Sequence, residues 1–158
     1  MKQTLTRDAF LGLSAELTGY TPEELEGTGL IDTYHELLCD ILGPNVTSNF
    51  AEVIAHVLIT KADTPERAQA VQANLQPPSV YWPVNYGLTW LWYMGSWNQL
   101  PDNWYATMEL PIPGPLSPGR THVPSQLAYT EQLSFRTARA HAPGANPTGF
   151  GSWTFPPL

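Results

Sequence analysis

"LIDTYHELLCDILGP", residues 30–44, decides the fold. Leu30, Ile31, Tyr34, Leu37, Leu38, Ile41 and Leu42 recur every three or four residues, the spacing of one helix face. Gly43-Pro44 stops the pattern. Working back toward the N-terminus, "TPEE" at Thr21–Glu24 reads as a capping box with Pro22 at the first helical position. Before it, Thr6 can cap a helix that buries Phe10, Leu13 and Leu17 and stops at Gly19. Working forward, a helix is predicted from Ser48 to about Thr60, with Phe50, Val53, Ile54, Val57 and Leu58 inward. Thr64-Pro65-Glu66 opens another, which Pro77-Pro78 must end. No strand alternation interrupts this part.

The remainder has a different character. "VNYGLTWLWYMGSW" (Val84–Trp97) reads as a buried helix, with Leu88, Leu91 and Trp92 on one face and Trp90, Met94 and Trp97 on another. Such a helix, apolar on most sides, needs neighbours on most sides. Residues 98–124 are rich in proline and read as irregular. Ser125 then caps a last helix through Leu127, Tyr129, Leu133 and Arg136, ending near His141. The expected fold class is mainly α: a helical N-terminal bundle, a Pro- and Trp-rich irregular C-terminal part, and an extended tail over 140–158.

Composition divides at the same place. Residues 1–76 hold eleven acids against four bases, whereas 77–158 hold three of each with all six tryptophans and thirteen of the sixteen prolines. Two units of that size would each be marginal alone, so residues 1–158 are read as one domain with an acidic helical part and an aromatic part. A net charge of −7 with scattered Lys and Arg argues against nucleic acid, whose phosphates demand clustered bases. Cys39 is the single cysteine, which excludes an internal disulfide and a cysteine metal site, and its apolar helical setting reads as a buried, inert thiol. No run approaches the ~20 apolar residues of a membrane span. "MKQTLTRDAF" has neither an apolar signal core nor paired arginines.

Motifs for chemistry are sparse. "GANPTGFG" (Gly144–Gly151) lacks both the Lys-Ser/Thr end and the preceding strand of a phosphate loop, and no dinucleotide fingerprint occurs. His35, His56, His122 and His141 form no ligand pattern; Glu52 and His56 stand one helical turn apart, a spacing more often a surface link than a metal site. Asp32, Glu36 and Asp40 read as a solvated stripe. The expectation is a chain without a catalytic or metal site.

The tail, "AHAPGANPTGFGSWTFPPL" (140–158), is uncharged and aromatic. Burying its three aromatic rings could yield about 5 kcal/mol apiece as an upper bound. Ordering each of its residues costs about 1–2 kcal/mol, so the rings alone do not fix it. It needs a waiting surface, on its own helices or on a partner, and both alternatives stand. Interface cores favour Trp, Tyr, Phe and Met with few charges. The residues expected as partner anchors are Trp90, Trp92, Trp97, Trp104, Phe150, Trp153 and Phe155.

Four stretches carry a family resemblance: "FLGLSAELTGY" (10–20), "GTGLIDTYHELL" (27–38), "WLWYMGSWNQLP" (90–101) and the ending from Ser125 to Leu158 with its G-x-x-x-x-G-[FY]-G-x-W pattern. The chain resembles the small subunits of membrane-associated, FAD-dependent sugar and polyol dehydrogenases. These are the sorbitol dehydrogenase-type small subunits, related to subunit 3 of gluconate 2-dehydrogenase; residues 61–83 are the least family-like. The resemblance implies a non-catalytic accessory subunit, with no cofactor of its own, bound to an FAD-containing catalytic subunit of the glucose–methanol–choline type. It also implies a multi-haem cytochrome c subunit nearby, membrane association only through partners, and a chaperone-like role in maturation and export of the flavoprotein. The expected location is the periplasm if a leader was removed, and otherwise the cytoplasm. The alternative expectation is a stand-alone saccharide- or small-ligand-binding protein with a Trp-lined cleft, near Asn98, Gln99, Asp102 and Asn103.

Overall fold

Threonine caps start three of the first four helices. A computed structural model of the chain describes residues 4–140 and the backbone of 145–146 and 149–150. The Thr6 hydroxyl accepts from the Ala9 N–H to open α1 (Arg7–Thr18), which ends on Gly19 with φ at +76°. Thr21 and Glu24 form the complete capping box of α2 (Pro22–Glu26). Thr64 accepts from the Arg67 N–H to start α4 (Pro65–Leu75). Each such cap is worth about 1 kcal/mol. The chain is mainly helical.

The central α3 (Ile31–Leu58) is one element broken at Gly43, whose φ of 67° and ψ of 168° suit glycine alone. The expected stop at Gly43-Pro44 is therefore real, but the next helical arm begins at Pro44 rather than at Ser48. Proline's fixed φ suits the first position of a helix, so the residue that ends one arm also starts the next. Both arms turn apolar side chains inward: Tyr34, Leu38 and Leu42 from the first, Phe50, Ile54 and Val57 from the second. Phe50 stacks on Tyr81 at 4.7 Å, and Tyr34 meets Trp92 edge-on at the same distance. Each ring pair adds about 1 kcal/mol beyond area burial. Arg67, buried on α4, donates to Glu16 of α1 at 2.9 Å and to the carbonyls of Leu58 and Thr60, closing the α3–α4 turn.

The aromatic part packs onto the same core. One hydrophobic cluster runs from Leu5 through α5 (Trp82–Met94) to Leu133, so the break in composition is not a break in packing. Two expectations for this part are corrected. Residues 98–124 are not wholly irregular: α6 (Asp102–Thr107) buries Trp104 and Tyr105, with Asp102 in its first turn after Pro101. The last helix is two: α7 (Gln126–Thr130), capped by Ser125, and α8 (Leu133–Thr137). Gln132 makes the break, its buried amide donating to the Tyr129 carbonyl and accepting from Ser134 Oγ, which turns Leu133 into the core. The short strands β1 (Ala145–Asn146) and β2 (Gly149–Phe150) pair antiparallel.

Burial pushes the Tyr34 phenol well above its ordinary value of about 10. The folded protein holds this proton more tightly than the unfolded chain does. The stability involved is complete below pH ~10 and is lost as pH rises from there through the folded-state pKa. Tyr34→Phe is expected to flatten the fall in urea-unfolding free energy above pH ~10, by up to about 1.4 kcal/mol per pH unit. An unchanged slope would mean that the phenol is solvated.

Candidate docking face

The face is built by helical period. On α5, Val84, Leu88, Leu91 and Trp92 point into the core, and the turn-by-turn stripe Trp82, Tyr86, Trp90 and Met94 lies opposite. Tyr86 is 54% exposed, Met94 43% and Trp82 37%, and Trp90 is half-buried. The expectation that α5 is covered on most sides fails here, because Tyr86, Met94 and Trp82 remain substantially exposed. Ring centroids lie 5.8 Å apart for Trp82 and Tyr86 and 6.5 Å apart for Tyr86 and Trp90.

Gly95, with φ at +66°, ends α5 and lets the chain turn back. Trp97 then drops into the core, bridged to His122 by reciprocal backbone hydrogen bonds of 2.8 and 3.0 Å. Residues 98–101 return alongside α5 and close a cleft of about 370 Å³. Trp82, Tyr86 and Trp90 line it together with Gly87, Asn98, Gln99 and Leu100. A second hollow of about 320 Å³ shares Trp82, Pro83 and Pro101 and continues toward Pro77, Pro78 and Trp104. No Asp, Glu, Lys or Arg side chain lines either one. The Gln99 amide is held between Arg120 Nη1 at 2.9 Å and Asp102 Oδ1 at 3.2 Å. Trp90 donates its indole N–H to Ser96 Oγ at 3.3 Å.

Among the described residues expected as anchors, Trp90 stands on the α5 stripe. Trp92 and Trp97 are fully buried, and Trp104 is 4% exposed with its indole donating to the Val80 carbonyl at 2.8 Å. Trp92 and Trp97 are therefore core residues of this chain rather than surface anchors, whereas Trp104, nearly buried, also lines the second hollow. Trp92 falls on the inward face with Leu88, and Trp97 lies beyond the helix, where its indole donates to the Gly119 carbonyl. The Phe150 side chain, Trp153 and Phe155 lie outside the described residues. Trp82 and Tyr86 were not singled out from sequence; their signal was the four-residue spacing with Trp90.

Other candidates have plain settings. Glu52 and His56 are exposed, as are Asp32, Glu36 and Asp40, with Asp32 accepting from Arg7 at 2.7 Å. Among the described residues, no three His, Cys, Asp or Glu side chains group as a metal site would need, and no helix is long and apolar enough to cross a membrane. The Cys39 thiol, half-buried, is pushed up by burial first and by Asp40 and Glu36 next, which keeps it protonated near neutrality. Comparison with family models, with curated proteins and with solved structures gave no match.

Proposed function

We propose that this chain is a non-catalytic accessory subunit that binds and stabilises a larger protein through the outer face of α5. Following the resemblance, the partner is an FAD-dependent sugar or alcohol dehydrogenase of the glucose–methanol–choline type, assisted in its maturation and export. FAD then sits on the partner, a multi-haem cytochrome c subunit belongs to the same complex, and the site of action is the periplasm if a leader is removed and otherwise the cytoplasm. The observation that carries the docking role is the uncovered stripe Trp82, Tyr86, Trp90 and Met94 beside charge-free hollows. Large aromatic and Met side chains without charges are what interface cores are made of, and a few of them carry most of the binding energy.

The test is capture of the tagged chain from its native cells at low salt, followed by an absorbance scan. The expected result is a co-eluting protein of flavodehydrogenase size with the visible band of an oxidised flavin. Tyr86→Ala should reduce that capture at least tenfold, a loss of about 1.4 kcal/mol or more. A colourless monomer from the unaltered chain would reject the reading. The saccharide-binding alternative draws on the same aromatic cleft, which Asn98 also lines. Saccharide binding by that monomer would favour it.

A further inference from the structure

We propose that α4 is a hinged flap latched at Arg67, which leaves the bundle and returns to it while the other helices stay folded. Little apolar surface holds it. Of its eleven residues only Arg67 and Leu75 are buried. Ala70, Val71 and Asn74 are half-buried, and the remaining six are exposed. Leu75 is thus the single fully buried apolar side chain of α4, whereas α5 buries Val84, Leu88, Leu91 and Trp92. The free energy of docking follows the apolar area removed from water, so α4 is the most weakly held of the longer helices.

The latch itself is polar. Arg67 Nη1 donates to Glu16 on α1 at 2.9 Å, and at the other end Asn85 Nδ2 on α5 donates to the Leu75 carbonyl at 2.8 Å. Arg67 Nη2 donates to the carbonyls of Leu58 and Thr60, where α3 ends. Its Nε, also buried, has no hydrogen-bond partner among the described residues. The closed state therefore carries an unmet donor, which opening returns to water. Opening also rehydrates both members of the ion pair, so their separation costs far less than their short contact suggests. The flanks suit a hinge: residues 61–63 and 76–78 are exposed, and Asp63 has φ at +58°. Isolated helices shorter than about 12–15 residues are marginal in water, so α4 loses its helix once undocked. Undocking bares the side of α3 on which α4 packs.

The test is amide hydrogen exchange of the full chain in low urea, followed by mass spectrometry. Amides of residues 68–75 are expected to exchange at least tenfold faster than those of α3 and α5. Their rates should also depend weakly on urea, because the opening exposes little surface. Arg67→Ala should speed exchange over 68–75 at least tenfold further and leave α3 and α5 unmoved. Glu16→Gln, which removes the counter-ion and keeps an acceptor, should give a smaller gain over the same residues. Exchange of 68–75 at the rates and urea dependence of α3 and α5 would overturn the proposal, because α4 then opens only with the whole fold. So would variants that speed every helix alike, the mark of residues serving overall stability. If Arg67→Ala does not fold, Glu16→Gln carries the test, and unchanged exchange over 68–75 would reject the latch.

Discussion

Gly95→Ala is expected to destabilise the protein by about 3 kcal/mol, the sum of two separate costs. The residue has φ at +66°, where an L side chain costs about 1–2 kcal/mol. A methyl group there would also lie 2.3 Å from the Ala128 carbonyl oxygen and 2.9 Å from its carbon. Both are backbone atoms, so no side chain can swing aside. Relief requires α7 to move away from the end of α5, an overpacking cost of about 1–3 kcal/mol. Gly19→Ala is the internal control, because it has φ at +76° and no atom within 4 Å of the added carbon. Its expected loss is the conformational share alone, about 1–2 kcal/mol. Urea midpoints of the two variants decide the matter. Equal losses would mean that α7 does not pack so closely.

Trp97→Ala has the larger expected effect, about 4 kcal/mol. Its indole is fully buried, lies where a side chain at Gly87 would be, and donates to the Gly119 carbonyl at 3.3 Å. Truncation would leave a cavity beneath α5 and an unpaired carbonyl in the loop that His122 ties down. Trp97→Phe should recover part of the loss by keeping a ring in the space. Trp90→Ala, on the half-exposed outer face, should cost well under half as much. If denaturation ranks Trp90 above Trp97, the inward and outward faces have been assigned the wrong way round.

That contrast shows where the sequence was legible. Caps are local: Thr6, Thr21, Thr64 and Ser125 each accept from the N–H three residues away, and the helix starts they mark were readable as written. The failures were tertiary. "WLWYMGSW" offers three tryptophans of equal hydrophobicity; the helical period sets Trp92 apart from Trp90, but that Trp97, beyond the end of α5, is buried is visible only in the fold. The α7–α8 break was hidden because Tyr129, Leu133 and Arg136 keep a helical spacing across it, whereas the break depends on the hydrogen bonds of Gln132. α6 was overlooked for a compositional reason. A Pro-rich neighbourhood reads as loop, although Pro101-Asp102 is itself a start signal.

The closure of the core by its last helix has a consequence for biosynthesis. Tyr20 shares a hydrogen bond with Thr137 across 117 residues of chain, and the fully buried Leu133 comes from that same late segment. A ribosome adding about 5–20 residues per second needs several seconds to pass from one to the other. Throughout that interval the nascent helices have no lid, and the apolar sides of α1 and α5 must stay out of wrong associations. The Tyr20–Thr137 contact therefore forms only after 117 further residues beyond Tyr20 have been made.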